Sequence, residues 1–319
     1  MYGTQAVSRP EITAFLEHAH GVDDYFIAQK LFPVKGMKAR AGRFPVIKMG
    51  TGKLMRRDNT ARNSGGSYNE VTRSHEWDSY DCKDRGLEER IDDSKAAEMK
   101  SFFDMETMTG KLVRRQVALD FEVRAKETLI DENVFAKENA VIAYTNALID
   151  TVDAPQDIEA AIEAIISRGE TANTLVLSLK LWNYLRRSKL MQAYVWGKLT
   201  DSTGKRQLTA NHLKEVFDFD TVHITKSHID TSKSKDKTVV NPIWGVDYMW
   251  IGCVKGGDFS EGGVGRTLTW DADSPGGLFS TETYRDEATR SDKLRVRSNS
   301  IEKIVNEHAG QLIKTNSTL

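Results

Sequence analysis

The side chains best suited to metal binding or nucleophilic chemistry are seven histidines and two cysteines, and their spacing supports neither. Cys82 and Cys253 stand far apart, and no CxxC or HExxH occurs, so no zinc-type ligand set is spelled out. His18 and His20 are two apart, a spacing for one face of a strand and not of a helix. Cys82 lies near Asp81 and Asp84, whose negative charge raises a thiol pKa and does not activate it. No GxSxG elbow is present. A phosphate-binding loop needs a glycine, four residues, then Gly-Lys-Ser/Thr; Gly204-Lys205 runs into Arg206 and Gly52-Lys53 into Leu54. The run Leu175–Leu177 passes into Ser178-Leu179-Lys180 without the glycine turn that a dinucleotide requires. The missing motifs lower the expectation of an enzyme without excluding one, and the sequence assigns no catalytic residue, no cofactor and no metal.

Charge is the one local chemical signal. The whole chain is nearly neutral, at −1, which argues against a general nucleic-acid binder. Yet residues 35–62 hold nine basic side chains and one acid, Asp58. Such a run inside a neutral chain is a partner surface. Phe44 is the one aromatic side chain in it, which is poor for base stacking. Acidic surfaces on neighbouring copies, from residues 78–93 and 98–127, fit the run equally well. Residues 1–15 lack the apolar core of a signal peptide, and no stretch approaches the ~20 apolar residues of a membrane span. A protein made in the cytoplasm, with no membrane partner, is expected.

The elements that would carry this surface follow from the pattern. At 319 residues the chain should hold two domains or one large interrupted one. Residues 1–40 read as an arm, with short helices over 11–18 and 24–31. Residues 41–92 are rich in Gly, Arg, Asn and Ser, poor in apolar side chains, and read as a long two-stranded ribbon. A ribbon with so little core of its own needs a neighbour to order it. Asp92-Asp93-Ser94 then offers capping groups for a proline-free run over 95–133. Val113, Val117, Phe121 and Ala125 recur every four residues there, the buried stripe of a helix. Gly110 is where it would kink or break.

Residues 143–265 read as a mixed α/β unit. Asp153-Ala154-Pro155 starts a helix that ends near Arg168-Gly169; strands follow over 174–178, 222–224 and 248–254, with helices over 179–190 and 209–217. Residues 226–237 read as an exposed loop and the glycines of 256–265 as a flexible one. Residues 266–319 are strand-rich, with turns at 274–277 and 309–310. The fold class is α+β.

Three stretches carry a resemblance. They are Ser79-Tyr80-Asp81-Cys82-Lys83-Asp84-Arg85-Gly86-Leu87-Glu88-Glu89-Arg90-Ile91-Asp92; Asp153-Ala154-Pro155-Gln156-Asp157-Ile158 with Asn173-Thr174-Leu175-Val176-Leu177-Ser178 and Trp182; and Ile304-Val305-Asn306-Glu307-His308-Ala309-Gly310-Gln311-Leu312-Ile313. In this order and spacing, from about residue 40 onward, the chain resembles the major capsid proteins of tailed bacteriophages, built on the Hong Kong 97 fold. The resemblance implies an N-terminal arm (1–40), an E-loop ribbon (41–92), a spine helix of the P-domain (93–142), an A-domain (143–265), and P-domain strands returning to the A-domain (266–319). It implies hexamers and pentamers in an icosahedral shell around double-stranded DNA, with a portal protein and scaffolding or decoration proteins as partners, and a place in the virion. Arg43, Lys48, Lys53, Arg56, Arg57 and Arg62 would be the E-loop residues that meet the adjacent subunit.

Other readings stay open at this stage. An encapsulin-type nanocompartment uses the same architecture without portal or genome. A nucleic-acid-binding protein would use the segment 35–62 and bind as a monomer with strong salt dependence. An enzyme with an unrecognised site in the α/β unit would be a small oligomer with an enclosed pocket.

Overall fold

The computed structural model describes residues 7–9, 12–13, 25–46, 55, 57–71, 76–102, 104–197, 207–232, 238–273 and 277–316. The helix expected over 11–18 falls mostly outside them, as does the turn expected at 274–277.

A six-stranded and a five-stranded sheet organise the described chain. The first is built around one long strand, β14 (Ser291–Ile304). Residues of β14 that pair with β13 (Ser280–Asp286) also pair with β5 (Lys83–Asp92), so these two lie on opposite edges. Ser300 pairs with both Lys83 and Thr269, which places β12 (Gly265–Trp270) on the β13 edge, end to end with it. The strands β12 and β13 therefore share a partner and do not pair with each other. β1 (Val7–Ser8) and β2 (Val34–Met37) close the two ends.

The helix α3 (Met105–Leu129) packs on one face of this sheet. Val113, Val117, Phe121, Ala125 and Leu129 are all buried there, in one core with Leu294, Val296, Phe279 and Ile91. At 25 residues, α3 is about 37 Å long. The break in the expected run falls between Met99 and Met105, not at Gly110. Asp92 caps α2 (Asp93–Met99) through Ser94 N, and Asp104 caps α3 through Thr107 N at 3.0 Å. A second side-chain cap restarts the helix there, while Gly110 sits inside α3 without interrupting it.

The five-stranded sheet has the order β6 (Lys137–Asn139), β15 (Gly310–Lys314), β11 (Tyr248–Gly252), β7 (Thr174–Ser178), β8 (Thr221–Thr225). Its three central strands, β15, β11 and β7, are buried on both faces. Leu175, Leu177, Ile251 and Ile313 face a second core made with the helices α4 (Ala154–Ser167), α5 (Leu179–Leu185), α6 (Lys189–Trp196) and α7 (Ala210–Phe217). Val176, Trp250 and Leu312 face the first core instead. Alternation along buried strands thus joins the two cores through one sheet.

Several boundaries differ from the sequence reading, each for a local reason. The helix expected over 179–190 is two, because the buried Ser188 caps Met191 N at 3.3 Å and starts α6. The loop expected over 226–237 contains a strand, β9 (His228–Asp230), paired with β10 (Val240–Pro242). The turn at 309–310 does not fold β14 back on itself; it passes the chain from one sheet to the other. Part of the expected arm belongs to the body: Ile27, Ala28, Leu31 and Phe32, around α1 (Ala28–Leu31), are buried in the first core.

Candidate functional site

Besides the β9–β10 pair, two further strands lie outside the two large sheets. β3 (Ala41–Val46) and β4 (Glu76–Asp81) pair antiparallel as a ribbon stem, with Phe44 opposite Asp78 and Pro45 opposite Trp77. Strand alternation sorts its two faces. Phe44, Val46 and Tyr80 turn inward and make a small third core with Cys82, Leu268 and Val305. Arg43, Pro45, Ser79 and Trp77 turn outward, and Trp77 is 64% exposed. Arg40 Nε donates to Cys82 O at 3.1 Å and Lys303 pairs with Asp78 at 3.0 Å, so the stem is tied down at its base. Burial first, and Asp81 second, push the Cys82 thiol up to about 11.

Beyond the stem, residues 57–71 form no strand and are almost wholly exposed. They are held by themselves: Arg62 Nε donates to Gly66 O at 2.7 Å, its guanidinium stacks over Tyr68, and Asn69 Nδ2 donates to Asn59 O at 2.7 Å. Of the expected partner-facing residues, Arg43, Arg57 and Arg62 are exposed on the stem and tip. Lys48, Lys53 and Arg56 lie outside the described residues. Elsewhere in the basic run, Lys35 pairs with Asp258.

The outward face of the six-stranded sheet is a ladder of charges. Arg295 meets Glu88 at 2.9 Å, Arg297 meets Glu282 at 2.6 Å and also Asp273, and Arg285 meets Asp93 at 2.6 Å. Lys293 and Arg295 lie over the Tyr284 ring. Hydrogen bonds from Arg295 hold the Glu88 carboxyl below its ordinary range. Several acids of residues 78–93, expected to meet a neighbour, are thus paired within the chain, while Asp84 and Glu89 stay exposed. Cross-strand register makes these pairs, and register between distant segments is not written in local sequence.

Glu122 is the buried acid that the sequence reading passed over. It sits fully buried on α3 and accepts from Ile27 N (3.0 Å), Ala28 N (2.8 Å) and Trp244 Nε1 (2.7 Å). Burial raises its pKa, while these donors oppose the shift. One carboxylate thereby joins the arm, the helix and the connection before β11. The signal was present: Glu122 falls in line with Ala118, Ala125 and Leu129 on the buried stripe.

Among the described residues no group of three His, Cys, Asp or Glu side chains could hold a metal, and no helix is long and apolar enough to cross a membrane. The features with chemical character are surfaces: a ribbon projecting from the body and a charged sheet face. No family model matches the sequence, and no curated protein matches it. Solved structures do match. A phage-related protein from Bordetella bronchiseptica superposes with a TM-score of 0.72 at 20% identity, covering 98% of each chain. The mature capsid of bacteriophage PhiM1 matches with a TM-score of 0.55 at 13% identity, over 90% of this chain and 86% of that one.

The chain has the Hong Kong 97 capsid fold. A virus-like particle from Pyrococcus furiosus shares it, with a TM-score of 0.56 at 13% identity over 96% of this chain and 98% of that one. Coverage is nearly end to end in both directions, so the likeness takes in the projecting ribbon as well as the cores.

Proposed function

We propose that this chain is a major capsid protein, whose copies assemble as hexamers and pentamers into the icosahedral head shell of a tailed phage around double-stranded DNA. The observation that carries the reading is the pairing of a whole-chain capsid fold with a ribbon that has almost no core of its own. A projecting ribbon with an exposed Trp77 and a polar, self-held tip is a costly thing for a monomer to display. On a neighbouring copy it gains contacts, and each weak contact is repeated around a closed lattice. The role is structural and not enzymatic, and the place is the virion.

Arg43, Arg57 and Arg62 are the ribbon cations that meet acidic surface on the next subunit. A portal protein, and scaffolding or decoration proteins, complete the set of partners. The Pyrococcus furiosus particle supports a second reading, a nanocompartment shell without a genome. Sedimentation velocity on the purified chain tests assembly: the proposal expects fast-sedimenting closed particles, and a single slow species at all concentrations sinks it. Co-expression with portal and terminase genes then separates the two shells. Nuclease-protected double-stranded DNA inside the particles supports the phage reading, and its absence with a packaged enzyme supports the other.

A further inference from the structure

We infer that the glycine-rich loop 253–264 is the seat that fixes the direction in which the ribbon leaves the body, with Phe259 and Arg266 as its positioning residues. The inference deepens the shell reading and rests on it for its functional meaning, while its structural half stands on geometry alone.

The loop is held from the inside by Arg266, which is 1% exposed. Its guanidinium donates to the carbonyl oxygens of Gly265 (2.8 Å), Gly262 (2.6 Å), Asp258 (3.3 Å) and Gly257 (3.4 Å). A rigid planar fork of donors, aimed at four carbonyls, turns a run of glycines into a fixed shape. The glycines are needed for that shape. Gly257, Gly262 and Gly263 have φ of +91°, +74° and +92°, and a Cβ on Gly263 would stand 3.2 Å from the Arg266 guanidinium. The stretch expected from sequence to be a flexible loop is instead wrapped around the buried arginine.

From the outside, the same loop carries the ribbon. Phe259 stacks on Phe44 of β3, ring centroids 5.0 Å apart and planes 18° from parallel. Phe44 in turn leans on Tyr80 of β4 at 6.3 Å. Lys35, on β2, pairs with Asp258 beside Phe259 and ties the loop to the sheet edge. Three rings, one from each ribbon strand and one from the loop, therefore sit at the point where the ribbon departs. A small rotation there is magnified along β3 and β4, each six residues and roughly 20 Å long. A closed shell of one size needs that angle to be the same in every copy.

The test uses Phe259→Ala with Phe259→Tyr as the conservative control; Phe259 is only half-buried, so both variants are expected to fold. Amide exchange of the unassembled chain reads the ribbon directly. Phe259→Ala should speed exchange in β3 and β4 by about tenfold, with β7 and α4 unchanged and Phe259→Tyr close to the parent. Electron microscopy of assembled material reads the consequence: the alanine variant should give particles of mixed size or open sheets where the parent gives one size. Unchanged exchange in β3 and β4 overturns the positioning claim, and so do uniform parental particles from the alanine variant. If the parent itself forms no particles, the shell reading fails, and the exchange result still decides whether Phe259 holds the ribbon.

Discussion

Glu122 and Cys82 are the residues whose surroundings make the sharpest forecasts. Truncating Glu122 to alanine leaves Ile27 N, Ala28 N and Trp244 Nε1 without their acceptor. Each stranded donor costs about 1–3 kcal/mol, so Glu122→Ala should lower stability by roughly 3 kcal/mol or more in a urea titration. The pH dependence has a definite sign. Burial raises the folded-state pKa above the ordinary 4.5, so the folded chain keeps this proton at pH values where the unfolded chain has lost it. Its contribution is fully present below the unfolded value and falls as pH rises through the folded one. Glu122→Gln should remove that slope, read as the difference between the two proteins' urea midpoints across the acidic range. Cys82, pushed up to about 11, and Cys253, also raised by burial, should resist a thiol reagent at neutral pH in the native state. Both should react once the chain is unfolded; rapid native labelling of Cys82 would contradict the packing at the ribbon base.

At the scale of elements, α3 is the member that the packing depends on most. Phe121→Ala opens a cavity against Phe279 and the sheet and should cost about 3–5 kcal/mol, whereas Leu112→Ala, on the exposed side, should stay within about 0.5 kcal/mol. Chemical denaturation of both variants checks the contrast. Elements with strong local signals could be read from sequence: the stripe Val113, Val117, Phe121, Ala125; the start of α4 at Asp153 and Pro155; β7 with its apolar centre Leu175-Val176-Leu177. What could not be read depended on distant partners. The caps at Asp104 and Ser188 split two expected helices, because a short polar side chain was available to satisfy the next turn's amide. The strands on either side of the turn at 274–277, β12 and β13, both pair with β14, which the fourteen-residue length of that strand permits. The same distance hid the cross-strand pairs Arg295–Glu88 and Arg297–Glu282, and the seat that Arg266 builds. Of the ribbon cations named from sequence, Arg43, Arg57 and Arg62 are exposed, and their role between subunits is a proposal.

At the scale of the whole molecule, the two cores share one sheet and form a body, and the ribbon is the part that this body does not cover. A chain in which a two-residue Asn-Gly turn replaces residues 47–75 keeps the residues of all three cores and should fold with near-parental stability, yet should no longer assemble. The central claim is that the ribbon of one copy lies on the next. Electron cryomicroscopy of particles formed by the purified chain tests this most directly. The expected result is closed shells in which β3, β4 and the tip around Tyr68 rest on an adjacent subunit, with Trp77 buried. Particles in which the ribbon folds back on its own subunit, or a chain that stays monomeric at high concentration and with a crowding agent, would contradict it.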